Sequence, residues 1–280
     1  ADSSANLLSL PDIDFGVVPL HIIVGENDYI DDDKIDLTAM QENLSSYKGK
    51  TSTSSPSPHE WENAFGDADV VFCITITSSL SGTYNSAVIA KDIYEHNHTG
   101  RKVYVLDSLS TGPEIALFIE KIAELIKAGF APDDIYKTLL EYKDKTHLYF
   151  SLASLNNFAK NGRISPVIAA GIGLLGVRVV GKASDEGTLL PLDKCRGEKR
   201  ALKKLIDHLK ECGYTDGKII IAHNNNEAGA LELKKLIENT FGIFNGTIQK
   251  TRALCSYYAE PGSLLIGFEA SLCNHKPYKD

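Results

Sequence analysis

Residues 68–94 read ADVVFCITITSSLSGTYNSAVIAKDIY, and three successive segments of this stretch predict three different structures. Residues 70–77 form a run of apolar and β-branched side chains, which is typical of a strand buried on both faces. Tyr84 opens an alanine-rich segment whose apolar residues recur at helical spacing, which predicts a helix. The stretch is therefore predicted to form a strand, a short hydroxyl-rich loop at 78–83, and a helix.

The loop at 78–83 is a candidate anion site because it precedes the predicted helix. Free backbone N–H groups and the positive end of the helix dipole face such a loop. They can hold an anion, and serine hydroxyls can complete its coordination. Ser81 is also a candidate N-cap residue, which is a purely structural role. The stretch alone leaves both interpretations open.

The segments after this stretch extend the same alternation. Residues 103–106 predict a second strand that ends at Asp107-Ser108, and Pro113 and Pro132 each fit the start of a helix. Strands that alternate with helices predict an α/β/α domain with a parallel sheet, here residues 1–150. After residue 150 the pattern changes to a hairpin (177–192), two helices (199–212 and 227–241) and two strands (218–222 and 264–270), which predicts an α+β domain with a mixed sheet over 151–280.

Composition narrows the functional class and the compartment. A net charge of −8 and a pI near 5.5 argue against a nucleic-acid groove, and no polybasic cluster suggests a membrane anchor. The odd number of cysteines and their unpaired spacing favour a reducing compartment, and the weakly charged stretch 166–177 is too short to span a bilayer. We therefore expect a soluble, cytoplasmic protein. The polar start at Asp2-Ser3-Ser4 suggests that residues, or a first strand, are missing before it.

Several other features have a plain alternative to a functional role. Residues 50–58, KTSTSSPSP, form a second hydroxyl-rich segment, and their composition is that of a flexible linker. The acidic run 31–33 is interpreted as a helix N-terminus in solvent. Arg163 and Arg196 lie at element junctions and could reach a shared anion, or could simply face solvent. The glycines at 171–176 match a dinucleotide fingerprint in spacing but not in context, because they are predicted to end a helix.

Taken together, these segments resemble the DegV family of bacterial fatty-acid-binding proteins. The segment at 53–57, TSSPS, is similar to a family Thr-Ser-Gln-Pro-Ser loop, and SSLSGTYNSA at 78–87 is similar to a ten-residue family signature. Further matches are colinear and cover nearly the whole chain: Asp2-Ser3, Asp107-Ser108, Asn161-Gly162-Arg163-Ile164 and Lys194-Cys195-Arg196-Gly197.

The resemblance implies two α/β domains with a long-chain fatty acid buried between them. It assigns the carboxylate to Thr53 and Ser81, with the backbone N–H of Gly82 as a third donor. Family members of the kinase type present the fatty acid to a separate fatty-acid kinase, and Arg163 and Arg196 match the arginines implicated there. The resemblance implies no catalytic residue, no metal and no cofactor beyond the bound lipid. The alternative is an enzyme that acts on a small phosphorylated or carboxylated substrate at the same loop.

One family motif departs from its pattern here. The stretch 256–262, SYYAEPG, stands where the family has Gly-x-His-x-Gly-Pro-Gly, so Tyr258 replaces the histidine and Glu260 replaces a glycine. A phenol with a pKa near 10 carries no positive charge at neutral pH, whereas an imidazole can. The departure therefore bears on partnership with a kinase more than on lipid binding. Residues 169–176 are expected to form part of the wall around the acyl chain.

Overall fold

The computed structural model describes residues 1–165 and 176–270. Residues 166–175 lie outside the described residues, and with them most of the predicted acyl-chain wall at 169–176 and the helix end predicted at 171–176. The strands are β1 His21–Val24, β2 Asn27–Ile30, β3 Thr51–Ser54, β4 Val70–Thr75, β5 Lys102–Asp107, β6 Thr146–Leu152, β7 Val177–Ala183, β8 Leu189–Arg196, β9 Ile219–His223, β10 Gly246–Lys250 and β11 Leu264–Glu269. The helices are α1 Leu37–Ser46, α2 Pro58–Phe65, α3 Thr83–Asn97, α4 Pro113–Lys127, α5 Pro132–Lys143, α6 Asn156–Lys160, α7 Glu198–Glu211, α8 Glu227–Phe241 and α9 Ala253–Ala259.

The first layered unit forms around the parallel pair β4 and β5, which run in register from Val70 opposite Lys102 to Thr75 opposite Asp107. Successive strand residues point to opposite faces. Ile74 and Leu106 therefore pack with α4 on one face, while Cys73 and Val105 pack with α2 and α3 on the other. This arrangement confirms the predicted α/β/α layering and the parallel pairing.

A three-stranded antiparallel sheet in the order β2-β1-β3 was not predicted. Its third strand is formed by residues 51–54, and the next residues start α2 with a capping box between Ser57 and Glu60. The flexible-linker interpretation of residues 50–58 is therefore wrong. The serines and threonines there pair in a sheet or cap a helix, and composition alone could not distinguish this from a linker.

The second sheet has six strands in the order β10-β9-β11-β6-β7-β8. Among the described strands of this sheet only β9 and β10 pair in parallel, so the predicted mixed sheet is confirmed. The predicted domain boundary near residue 150 falls inside β6, whose residues pair with β7 and β11. The division into two domains stays a prediction. The exposed β10 and the short helix α9 were both missed by the sequence analysis.

Asp31 anchors α9 from the other part of the chain. Its carboxylate is completely buried and accepts hydrogen bonds from the backbone N–H groups of Ala253 (3.2 Å) and Leu254 (3.0 Å). Nε of Arg252 lies 3.4 Å from the same carboxylate, and burial raises the pKa of Asp31. The interpretation of residues 31–33 as a solvated helix start is therefore wrong for Asp31, which fixes a helix more than 200 positions later.

The described residues contain no helix that is both long and apolar enough to cross a membrane. Three cysteines, Cys73, Cys195 and Cys255, are free and buried. Cys212 is disulfide-bonded, which the unpaired spacing of the cysteines did not predict.

Glu114 near the start of α4 gives the fold a measurable pH dependence. It is 5% exposed and accepts a hydrogen bond from Thr146 Oγ1 (2.9 Å), and burial raises its pKa to about 7. Because the folded pKa exceeds the unfolded one, this carboxyl stabilises the fold below about pH 4.5, and that stability is lost as pH rises through about 7. This decrease in the free energy of unfolding amounts to roughly 3 kcal/mol between pH 4.5 and pH 8, and Glu114→Gln should abolish it.

Urea unfolding of both proteins across that pH range would measure the difference. Comparing the two profiles removes the contribution of all other titrating groups. Identical profiles for the variant and the unaltered protein would show that Glu114 does not titrate as its burial implies.

Candidate functional site

A cavity of about 250 Å³ lies between the six-stranded sheet and the two hydroxyl-rich loops. This volume is far larger than the roughly 10–15 Å³ that one water molecule needs. Alternate residues of β6 (Leu148, Phe150 and Leu152) line it, because they share one face of the strand while Tyr149 packs in the core on the other face. Phe158, Leu254 and Leu265 add to the apolar wall.

Thr53 and Ser81 both line this cavity, although Thr53 belongs to one sheet and Ser81 follows a strand of another. Thr53 lies on β3 opposite Ile22, and Ser81 lies in the loop between β4 and α3. The two loops are adjacent, since a Cβ added to Gly82 would lie 3.3 Å from Ser55 Oγ. The structure therefore places Thr53, Ser81 and Gly82 around one space, which is the geometry that the sequence analysis required.

The local geometry of Ser81 differs slightly from the N-cap prediction. The N-cap residue of α3 is Gly82, which makes no side-chain capping bond. Ser81 Oγ instead lies 2.8 Å from Thr83 Oγ1 and accepts a long hydrogen bond from the Thr83 backbone N–H at 3.4 Å. A helix that lacks a strong side-chain cap keeps N–H groups available for an external acceptor.

The same loop also contacts the turn between β7 and β8. Thr77 Oγ1 donates to the Gly187 carbonyl (2.9 Å), and Ser79 Oγ donates to the Glu186 carbonyl (2.5 Å). Asp107 Oδ1 accepts from the backbone N–H groups of Ser78 and Leu109, each at 3.1 Å. These bonds fix the loop from two sides and hold Ser81 at the cavity wall.

Tyr258 lies beside Thr53 at the cavity. Its phenolic oxygen is 2.8 Å from Thr53 Oγ1. Burial raises the pKa of this phenol, while the bond to Thr53 and the charge of Arg163 act in the opposite direction. The phenol therefore remains protonated at neutral pH, and this position supplies a hydrogen-bond donor without a charge.

The two candidate arginines lie in different places. Arg163 lines the cavity, and its Nε donates to the Leu80 carbonyl (3.1 Å), the residue before Ser81. Its Nη1 donates to the Asn161 carbonyl at 2.6 Å. Arg196 is exposed at the end of β8 and is not among the residues that line the cavity. Arg163 thus brings positive charge to the hydroxyl end of the cavity, whereas Arg196 lies on the surface.

Several residues of the site were missed by the sequence analysis. The apolar wall among the described residues includes side chains of β6, α6, β7, β8, α9 and β11, whereas the predicted wall at 169–176 lies almost entirely outside them. Leu148, Phe150 and Leu152 alternate along β6 on the side that faces the cavity, but the apolar run 148–150 concealed this alternation in the sequence. The anchoring of α9 by Asp31 has no local sequence signal, because the partners are far apart in the chain.

The chemistry of the cavity fits binding of an anionic headgroup with an apolar tail. No cluster of three or more potential metal ligands occurs within residues 1–165 and 176–270. Cys255 lines the cavity, but its Sγ donates to the Ser4 carbonyl (3.4 Å) and burial raises its pKa to about 12, so the thiol is protonated and a poor nucleophile.

The family model described as "Uncharacterised protein, DegV family" matches residues 1–271 of this chain. A DegV domain-containing protein from Streptococcus pneumoniae is 40% identical over 273 residues, covering 96% of this chain and 97% of the relative. A DegV domain-containing protein from Streptococcus gordonii is 38% identical over 275 residues, with the same two coverages.

Two crystal structures of ligand-loaded proteins superpose closely on this chain. A DegV family protein from Eubacterium eligens, loaded with heptadecanoic acid, has a TM-score of 0.94 at 39% identity and covers 96% of this chain and 98% of its own. The Streptococcus pneumoniae Fatty Acid Kinase (Fak) B3 protein, loaded with linoleic acid, gives the same TM-score, identity and coverage. The likeness extends over nearly all of each molecule.

Proposed function

The chain belongs to the DegV family, and on that premise we propose that it binds a long-chain fatty acid in the cavity lined by Thr53 and Ser81. The observation that carries the proposal is the cavity itself, which combines an apolar wall with hydroxyls, helix N–H groups and one arginine. The fatty acids carried by the structural neighbours from Eubacterium eligens and Streptococcus pneumoniae support the same ligand class.

The energetics favour a long tail and a carboxylate. Burial of a methylene contributes roughly 0.8 kcal/mol, so an acyl chain of about sixteen carbons offers on the order of 10 kcal/mol before the costs of ordering it. Hydrogen bonds to a charged group contribute about 1.5–3 kcal/mol each. In the proposed complex Thr53, Ser81 and the Gly82 N–H donate to the carboxylate, and the positive charge of Arg163 stabilises it.

We also propose that the bound fatty acid is presented to a separate fatty-acid kinase. The name of the Streptococcus pneumoniae neighbour, Fatty Acid Kinase (Fak) B3 protein, supports this role. Arg196 is exposed and suits a contact with such a partner, while Arg163 lies at the cavity. Tyr258 sits where the family histidine is expected and offers a neutral donor. The proposed compartment is the cytoplasm, and the proposed domains meet near residue 150.

The proposed role is that of a carrier. The less favoured alternative is an enzyme that acts on a small phosphorylated or carboxylated substrate. A small polar substrate would leave the apolar side chains of β6, α6 and α9 without a partner. A fatty acid uses both the hydroxyl end and the apolar wall.

Purification from a bacterial host should yield protein that already contains fatty acid, since apolar burial makes dissociation unfavourable. Mass spectrometry of an organic extract, together with calorimetric titration of delipidated protein with oleate and palmitate, would test this. Octanoate serves as the control ligand, because it has the same headgroup and half the tail of palmitate. A folded, delipidated protein that binds neither oleate nor palmitate would overturn the proposed function.

A further inference from the structure

The hydrogen bond between Tyr258 and Thr53 has a direction that a bound carboxylate would determine. Their oxygens are 2.8 Å apart, and both residues line the cavity. A threonine hydroxyl has a single proton and two lone pairs, so it can donate once and also accept. A carboxylate can only accept. If Thr53 donates to the ligand, it must accept from Tyr258.

The phenol of Tyr258 is suited to be the first donor in this series of hydrogen bonds, which runs from Tyr258 through Thr53 to the ligand. Burial keeps it protonated at neutral pH, because the charged phenolate is disfavoured there. Tyr258 can donate its hydroxyl hydrogen bond to the Thr53 oxygen and thereby keep a partner of its own. A chain of hydrogen bonds that all run in one direction also polarises its members and strengthens the last bond, the one to the ligand.

The ring of Tyr258 is held in place independently of its hydroxyl. Its centroid lies 4.8 Å from that of Phe158 and 4.9 Å from that of Tyr257. Helix α9, which carries it, is fixed at its start by Asp31. Removing only the phenolic oxygen should therefore leave the packing intact.

We propose that Tyr258 is a positioning residue that orients the Thr53 hydroxyl toward the ligand and makes the site selective for an ionised carboxylate over a neutral headgroup. This inference rests on the proposed function, because it needs the headgroup at Thr53. Tyr258 itself need not contact the ligand. The selectivity comes from directing the only proton of Thr53 at the ligand, because a hydrogen bond to an ionised carboxylate is stronger than one to a neutral hydroxyl.

The test compares oleate with oleyl alcohol, which has the same tail and a neutral headgroup. Tyr258→Phe should lower the affinity for oleate about tenfold, the effect of losing one charge-assisted hydrogen bond, and change that for oleyl alcohol less than about twofold. Tyr257→Phe is the matched control, since that phenol bonds Thr51 (2.7 Å) and Asn161 (2.7 Å) and does not line the cavity. It should leave the oleate affinity within about twofold.

Tyr258→His gives a second readout that a packing role would not produce. The charged and titratable groups that act on this position are Arg163 and Tyr257, with Glu260 two positions later in the chain. Arginine and phenol groups do not titrate between pH 5.5 and pH 8. Oleate affinity of the unaltered protein should thus stay level over this range. The histidine variant should bind oleate more tightly as pH falls through about 6.5, where the imidazole gains charge.

The outcomes separate this inference from the proposed function. Oleate binding by the unaltered protein with no loss in Tyr258→Phe would overturn the inference alone. Equal losses for oleate and oleyl alcohol would also overturn it, because they would indicate packing. A folded protein that binds no oleate in any form would overturn both.

Discussion

Removal of both hydroxyls in Thr53→Ala/Ser81→Ala is expected to lower fatty-acid affinity by at least about 100-fold while the protein stays folded. Each hydroxyl is proposed to donate to the carboxylate, and bonds to charged groups contribute about 1.5–3 kcal/mol each. Both side chains line the cavity and neither is essential to a sheet or a helix cap. Calorimetric titration of delipidated protein with oleate would measure the change.

A matched control removes two hydroxyls from the same segments. Ser52 on β3 and Ser78 in the loop before α3 do not line the cavity, and the hydroxyl of Ser78 is exposed. Ser52→Ala/Ser78→Ala should therefore bind oleate within about threefold of the unaltered protein. Equal losses in both double variants would mean that the loops, and not the two cavity hydroxyls, determine affinity.

Asp31→Ala is expected to cause the largest loss of stability. The change leaves two N–H groups of α9 without their acceptor and leaves the guanidinium of Arg252 without its nearest carboxylate. Removal of one member of a buried pair typically costs about 3–5 kcal/mol. Oleate affinity should fall as well, because α9 carries Tyr258, Leu254 and Ala259 into the cavity.

Urea unfolding would measure that free energy, with Asp33→Ala as the control. Asp33 lies in the same acidic run but is exposed, so its removal should change the free energy of unfolding by less than about 0.5 kcal/mol. Similar stabilities of the two variants would contradict the anchoring role of Asp31.

The sequence predicted most elements whose residues carry a periodic pattern. The helix expected at 227–241 is found at Glu227–Phe241, and the hairpin expected at 177–192 is found as the strands Val177–Ala183 and Leu189–Arg196. Within the candidate site, the loop at 78–83 was recognisable from its position between a buried strand and a helix. The resemblance of residues 53–57 to a family loop identified Thr53, which composition alone would have left in a linker.

What the sequence could not show is the contact between distant segments. Asp31 appears as one of three adjacent aspartates, and only the fold reveals that it alone is buried against α9. Tyr258 could be recognised as a departure from a family motif, but its bond to Thr53 joins residues 205 positions apart. Arg163 and Arg196 had similar local settings, yet only Arg163 reaches the cavity.

The cavity wall has a consequence for the whole molecule, because it is assembled from β3 and the loop after β4 on one side and from β6, α9 and β11 on the other. Under the proposed function, a bound lipid would bridge these elements as a non-covalent brace. A ligand that binds only the folded protein stabilises it against heat, and the gain in free energy rises with the logarithm of the ratio of free ligand concentration to Kd. The melting temperature of a fresh preparation would then report how well its host cell was supplied with lipid.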